Sequence, residues 1–112
     1  MAYDEALARR VRESLRGKRG VTERSMFGGV AFMLKGHMFV GISESSLMAR
    51  VGPDKYESAL AMKGARVMDF TGKPMRGYVF VDANGVKAPA DLRRWVKLCA
   101  DFAATLPARP AK

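Results

Sequence analysis

The stretch SMFGGVAFMLKGHMFVGI, residues 25–42, raises the first question about chemistry in this chain. It holds the glycine pair Gly28-Gly29, which could cradle a phosphate, and His37, the chain's one imidazole. A phosphate loop leads from a strand into a helix N-terminus and usually carries a lysine and a hydroxyl group. Here the glycines lead from one predicted strand into the next. We therefore interpret them as a bulge or tight bend where the backbone passes close to a neighbour.

Metal-binding and catalytic patterns are not found in the sequence. A zinc site needs three or four ligands at recognisable spacing, whereas the chain has one histidine, His37, and one cysteine, Cys99. Nucleophilic catalysis needs a nucleophile, a base and an orienting group. No spacing selects such a set from Ser25, Ser43, Ser45, Ser46, Glu44, Asp69 and Asp82. We predict no catalytic, metal-binding or cofactor-binding residues and no enzyme activity, although a pocket gathering Glu44, His37 and Arg50 would favour an enzyme.

Positive charge is the strongest compositional feature. The chain has 20 lysine and arginine residues against 11 aspartate and glutamate residues, a formal net charge of +9. Such an excess favours contact with nucleic acid, anionic surfaces or acidic proteins, although the charges could also serve only to solvate the surface. The basic residues are densest near the N-terminus, where the candidate nucleic-acid contacts are Arg9, Arg12, Arg16, Lys18, Arg19 and Arg24.

Length and composition favour one cytoplasmic domain. A chain of 112 residues with a hydrophobic fraction of 48% can bury a single core. No apolar run approaches the roughly 20 residues that span a membrane, and no signal peptide opens the sequence. The single cysteine is typical of a reducing compartment. We predict a domain over residues 1–106, a disordered tail over residues 107–112, and no membrane partner.

Hydrophobic periodicity predicts a helix at each end of the domain. The first covers residues 2–16, and the last begins after Pro89, ends at Pro107 and places Trp95 and Cys99 on its apolar face. Alternating patterns predict strands between them. These strands cover residues 22–27, 30–34, 37–42, 47–51, 66–70 and 78–81.

Turn and cap residues connect these strands. Lys35-Gly36 is a candidate two-residue hairpin turn. Asp54 and Glu57 predict a capping box for a short helix over residues 55–62. Asp82 and Asn84-Gly85 predict a turn after the last strand.

The predicted order, α-β-β-β(-β)-α-β-β-α, indicates an α+β fold with an antiparallel sheet. We expect two layers, with the N- and C-terminal helices on one face of the sheet. The other face would be partly exposed and would carry Ala31 and Met33. Such residues would need a partner, and a second copy of the chain, forming a homodimer, is one candidate.

The ordered strings MFGGVAFMLKGHMFVGI, LMARV, YVFV and DLRRWVKLC resemble the N-terminal domain of the TfoX/Sxy family, bacterial regulators of competence. The resemblance covers nearly all of residues 2–106. The family's structural motif falls on Met26, Phe27, Gly28 and Gly29. It implies an α+β fold similar to the YgaC and secretion-chaperone-like arrangement, with no known catalytic residues. Full-length relatives carry a second, helical domain, and we expect this chain to stand alone without it.

Two functions follow as expectations. The first is a non-enzymatic regulatory or protein-interaction module with a transcription-related protein partner, because the resembling regulators act on competence genes alongside an activator of the cyclic-AMP receptor type. The alternative is a basic accessory protein that binds nucleic acid through the N-terminal arginine cluster, with an affinity that falls steeply with salt.

Overall fold

The computed structural model describes residues 3–26, 29–68 and 75–107. Over these ranges the chain alternates helices and strands much as the hydrophobic patterns predict. The elements are α1 (Glu5–Ser14), β1 (Val21–Met26), β2 (Gly29–Leu34), β3 (His37–Ser43), β4 (Ser46–Arg50), α2 (Tyr56–Leu60), β5 (Ala65–Val67), β6 (Tyr78–Val81), α3 (Ala83–Val86) and α4 (Pro89–Ala104). The predicted α+β fold with flanking N- and C-terminal helices is confirmed.

The strands form one antiparallel sheet of six strands in the order β1-β2-β3-β4-β6-β5. The first four follow one another as a meander. Strand β6 then pairs with β4 on one side and with the short edge strand β5 on the other. At the β2–β3 turn, Lys35 and Gly36 have φ angles of 54° and 84°. Two successive positive φ angles match the twist of a two-residue hairpin, so the predicted turn is confirmed.

The main core lies between the sheet and the helices α1 and α4. Leu7 and Val11 lie one turn apart on α1 and are buried, as the spacing of four predicts. Alternate residues of the central strands point to the same side, because side chains along a strand alternate between faces. The strand residues in this core include Val30, Phe32, Leu34, Val40, Ile42, Leu47, Ala49, Val79 and Val81.

The opposite face of the sheet, which we call the outer face, is covered by the chain's own residues. Ala31 is 0% exposed and Met33 is 8% exposed, so the prediction that they lie on an uncovered face was wrong. Met48, Met68 and Phe80 form a second buried cluster there. Met68 follows β5, Met75 packs against the same cluster, and the Met75 N–H donates a hydrogen bond of 3.0 Å to the Met68 carbonyl. The burial of Ala31 and Met33 removes the exposed face as a reason for a homodimer.

Two local predictions were also wrong. The capping box at Asp54 and Glu57 does not form, because Pro53–Lys55 makes a 3₁₀ turn and α2 has no side-chain cap. The turn predicted after β6 is the short helix α3. Gly85 within α3 packs directly on the Lys63 and Gly64 backbone, where a Cβ would collide with the Lys63 carbonyl. Packing between distant segments therefore overrides the turn preference of Asn-Gly.

The ends of several predicted elements differ from those observed. Helix α1 is shorter than predicted and begins after Asp4, whose carboxylate accepts a hydrogen bond of 3.0 Å from the Leu7 N–H. Pro89 lies inside the first turn of α4, where its missing N–H costs no hydrogen bond. Phe27 and Gly28 of the family motif, residues 69–70 of the strand predicted over residues 66–70, and residues 108–112 of the predicted tail lie outside the described residues.

Arg10 ties α1 to the chain that leads into α4. One of its terminal nitrogens, Nη2, donates to the Val86 carbonyl at 2.8 Å and to the Lys87 carbonyl at 3.1 Å. Hydrogen bonds from charged groups contribute about 1.5–3 kcal/mol. We expect Arg10→Met, which keeps the apolar stem, to lower the free energy of unfolding in urea by about 1–3 kcal/mol.

Arg9→Met is the matched control for this prediction. Arg9 is exposed, and its side chain has no hydrogen bond or ion pair to residues 3–26, 29–68 or 75–107. An equal loss of stability in the two variants would show that the two carbonyl contacts of Arg10 do not stabilise the domain.

Candidate functional site

A groove runs around the C-terminal end of α1, between that helix, strand β1 and helix α4. It consists of one depression of about 400 Å³ beside β1 and a second of about 650 Å³ beside α4. Leu15 and Lys18 border both depressions, so the two meet at the end of α1. We call the whole the basic groove, after its lining side chains Arg12, Arg16, Lys18, Arg93, Arg94 and Lys97.

The floor of the basic groove beside α4 is apolar. Leu15, Val96 and Ala100 line it, and each is at most 7% exposed because each also belongs to the main core. Val96 and Ala100 lie four residues apart on α4, so they form a short apolar stripe on one side of the helix. The groove therefore has a small apolar floor, formed by the edge of the core, and positive charge at its rim.

Four of the six cations are paired with acids of the same chain. The strongest pair is bidentate: Arg12 Nε lies 2.7 Å from Glu23 Oε2, and Nη2 lies 3.0 Å from Oε1. These hydrogen bonds lower the pKa of the Glu23 carboxyl. The other pairs are Arg16–Glu13 at 3.0 Å, Arg94–Asp91 at 3.5 Å and Lys97–Asp101 at 2.9 Å.

Lys18 and Arg93 are the remaining two cations. Both are exposed, and neither side chain has an acidic partner among the residues that the structure describes. They stand on different walls of the depression beside α4, since Lys18 follows α1 and Arg93 belongs to α4. Lys18 and Arg93 are therefore available to an anion as they stand, whereas each of the four paired cations would first have to leave its own acid.

The structure divides the predicted nucleic-acid contacts into three locations. Three of them line the basic groove: Arg12, Arg16 and Lys18. Arg9 and Arg19 are exposed but do not line it. Arg24 pairs with Ala31, whereas its neighbour Glu23 pairs with the core residue Phe32. Because directly opposed residues share a face, Arg24 projects from the outer face of the sheet.

Three groove residues were not predicted: Arg93, Arg94 and Lys97. They come from α4, far along the chain from the dense N-terminal cluster. The available signal was the spacing of Arg93 and Lys97, four residues apart on the polar face of a helix whose other face is apolar. That spacing locates a basic stripe but does not reveal that α1 lies beside it.

The residues considered for catalysis are not gathered in one place. His37 is the first residue of β3, and Glu44 follows Ser43 at the other end of that strand. His37 Nε2 lies 2.6 Å from the Pro107 carbonyl oxygen, and Arg50 Nη1 donates to the Met38 carbonyl at 3.4 Å. Within the described ranges, no three side chains of histidine, cysteine, aspartate or glutamate are grouped to hold a metal ion.

Ser46 and Asp82 belong to a small polar network at the β5 edge of the sheet. The Ser46 hydroxyl donates to Asp82 Oδ1 at 3.1 Å, and Arg66 Nε donates to the same oxygen at 2.9 Å. Arg66 Nη2 also donates to the Ser46 hydroxyl oxygen at 3.1 Å. The guanidinium lies 4.7 Å from the centre of the Phe80 ring. These contacts hold β5 against its neighbours and occupy the serine hydroxyl.

Cys99 is expected to be unreactive in the folded protein. It is 0% exposed, and burial raises the pKa of its thiol to about 12. Because the thiolate is the reactive form, we expect an aromatic disulfide reagent at pH 8 to react about 100-fold or more slowly than in denaturant. The appearance of the reagent's coloured product measures both rates, and equal rates would contradict the observed burial.

Comparison with known proteins gives one match. The model of a protein family described as the TfoX N-terminal domain matches residues 13–103, which include every residue that lines the depression beside α4. No curated protein and no solved structure matched the chain. Across the described ranges, none of the helices combines the length and apolar character needed to cross a membrane.

Proposed function

The chain belongs to the family of the TfoX N-terminal domain, and from that premise we propose that it is a regulatory module, without enzyme activity, that binds a partner protein through the basic groove. The observation that carries this proposal is the pairing of an apolar floor with a basic rim. Protein interfaces commonly have an apolar centre surrounded by polar or charged side chains. The likeness to competence regulators supports a transcription-related partner in the cytoplasm.

The charge of the groove selects the kind of partner. Its lining holds six basic side chains, of which four are paired with acids and two, Lys18 and Arg93, have no acidic partner among the described residues. The net charge of the chain is +9. Complementary charge speeds encounter and rejects basic competitors, and the small apolar floor adds contact that a purely polar partner would not use. An acidic protein surface with an exposed apolar side chain satisfies both parts of the groove.

Nucleic-acid binding is the second candidate function. The observation that favours it is the convergence of cations from α1, the connector after it and α4 on one side of the molecule. Phosphate contacts would release counterions, so the affinity would fall steeply as salt rises. The apolar floor has no role in such backbone contacts, and for this reason we place protein binding first.

Blocking the floor tests the proposal. Ala100→Arg places a long side chain in the depression, and Ala104→Arg places the same residue one turn further along α4, at an exposed position outside the groove. We expect immobilised wild-type protein and Ala104→Arg to retain the same protein from an extract of the source cells at physiological salt. Ala100→Arg should lose it. Because Ala100 is only 7% exposed and belongs to the main core, we expect this variant to unfold at a lower urea concentration, and the capture is compared under conditions in which circular dichroism shows that both variants are folded.

Three results would overturn the proposal. Equal retention by both variants would exclude the groove as the contact surface. Failure of the wild type to retain any protein would remove the interaction itself. Binding of duplex DNA or RNA that survives physiological salt, and that is lost in Arg12→Glu, Arg16→Glu and Lys18→Glu, would put the nucleic-acid function first.

A further inference from the structure

The basic groove also defines which kind of partner segment fits it. We propose that the depression beside α4 accepts an acidic amphipathic helix of another protein, about three turns long. Carboxylates of that helix pair with Lys18 and Arg93, and its apolar face rests on the floor. This inference rests on the proposed function, because it names the partner class for the same groove.

The length and shape of the depression favour a helix. Its α4 wall extends from Ala90 to Asp101, and eleven rises of 1.5 Å give about 16 Å. Along that wall Ala90, Arg93, Lys97 and Ala100 follow spacings of three, four and three residues, which place them along one side of α4. The two small alanines allow another helix to approach closely at each end. An incoming helix can therefore pack along α4 with its apolar side chains over Val96 and Ala100.

Lys18 and Arg93 supply the anchor charges. Each lacks an acidic partner within the described part of the chain, so a carboxylate can bind without displacing one that is already bound. Their positions on different walls require acids on two sides of the incoming helix. Arg93 can hold its carboxylate through two parallel hydrogen bonds. Two anchors from different elements fix where the helix lies as well as attracting it.

Four cations of the groove are already neutralised by acids of the chain, which makes the groove a poor site for a polyanion such as a nucleic acid. Arg12, Arg16, Arg94 and Lys97 are each matched by an acid of the chain. A duplex backbone, which presents closely spaced phosphates, would have to break these pairs to gain their charge. It would also leave the floor of Leu15, Val96 and Ala100 without an apolar partner. A helix with few carboxylates and one apolar face fits both observations.

The test uses a synthetic helical peptide of about 14 residues, with leucines along one face and glutamates on both sides of them. Fluorescence anisotropy at physiological salt measures its affinity for the full chain. We expect the double variant Lys18→Glu with Arg93→Glu to bind about 10-fold or more weakly, a loss near that of two charge-assisted contacts. The control variant Arg9→Glu with Arg24→Glu changes the net charge equally outside the groove and should bind within about twofold of wild type.

Reversing the charge of the peptide gives a second test of the two anchors. The same peptide with lysine in place of glutamate should bind the Lys18→Glu with Arg93→Glu variant better than it binds wild type. A peptide of the same composition, scrambled so that no apolar face remains, should bind wild type weakly. The first result requires the anchor charges, and the second requires the apolar floor.

Other outcomes would overturn the inference. Equal losses in the two double variants, or equal binding of the scrambled peptide, would indicate nonspecific attraction. Stronger binding of duplex DNA that displaces the peptide and depends on Lys18 and Arg93 would make nucleic acid the occupant. If the peptide fails to bind while protein capture remains sensitive to Ala100→Arg, the helix inference falls and the proposed function stands. Failure of both tests removes both.

Discussion

Gly29→Ala is expected to prevent the domain from folding, or to destabilise it by more than about 4 kcal/mol. A Cβ at this position would overlap the carbonyl oxygen of Ile42 and lie 3.0 Å from the carbonyl carbon. Both atoms belong to the backbone of β3 and cannot rotate away as a side chain could. The surrounding pairs Met26↔Gly29 and Val30↔Ile42 also hold β2 between two strands, so the clash cannot be relieved by sliding one strand. This contact explains why the last residue of the MFGG string is a glycine.

Gly17→Ala is the control, because it measures the cost of a left-handed backbone conformation where no atom clashes with the added Cβ. Gly17 has a φ of +83°, and nothing lies within 4 Å of a Cβ built there. A left-handed conformation alone costs a residue with a side chain about 1–2 kcal/mol. Circular dichroism and urea unfolding of the two variants provide the comparison. A Gly29→Ala protein that unfolds at the same urea concentration as Gly17→Ala would show that β2 and β3 can separate at little cost.

Trp95→Ala is expected to have the second largest effect, a loss of about 3–5 kcal/mol of stability. Trp95 is 1% exposed and is among the largest fully buried side chains of the described residues. It lies in the middle of α4 and belongs to the main core between that helix and the sheet. Truncation removes a large apolar surface and leaves a cavity that the surrounding strands cannot close, because each is held by its neighbours.

Trp95→Phe is the control for this prediction, because it keeps an aromatic ring and leaves a smaller cavity. We expect it to lose less than half as much stability as Trp95→Ala. Since Trp95 is the chain's one tryptophan, unfolding is followed by circular dichroism, which both variants retain. A similar small loss in both variants would mean that α4 can shift towards the sheet and fill the space.

The sequence predicted the main helices and strands because the hydrophobic pattern within each element reflects the face that the element buries. The spacing of four in α1 and the apolar face of α4 follow from the single face that each helix buries. The strands from β2 to β4 were predicted within a residue or two because alternation reflects the two faces of the sheet. Lys35-Gly36 was predicted because the two-residue hairpin itself demands positive φ angles.

What the patterns missed depends on distant segments. The buried cluster on the outer face brings Met68 and Met75 together with Met48 and Phe80, and a hydrogen bond joins the Met75 N–H to the Met68 carbonyl. Helix α3 forms where Gly85 meets the backbone near Gly64. Neither contact leaves a period of two or 3.6 in the local sequence. The sequence therefore indicated which residues of a strand share a face, but not which segment of the chain packs on the outer face.

One wall of the basic groove was predicted from the sequence. The other wall was not, because it comes from a distant segment of the chain. The N-terminal cluster was visible as a dense run of arginines, and half of its six members line the groove. The other wall comes from α4. We expected α4 on the same face of the sheet as α1, but the sequence did not indicate that it lies beside the C-terminal end of α1. Arg10 appeared to be one more member of the run, yet its guanidinium binds the Val86 and Lys87 carbonyls. Charge in a sequence does not distinguish a residue that binds a ligand from one that braces a loop.

The alternation along β1 also bears on self-association. This strand forms one open edge of the sheet, with Glu23 on the helical face and Arg24 on the outer face. A strand from another molecule that extended the sheet here would have to desolvate a charge on both sides at once, and charged edge strands resist such pairing. The opposite edge, β5, has only three residues and offers a short template. The same alternation that separates Arg24 from the basic groove thus protects the domain against growth into an aggregate.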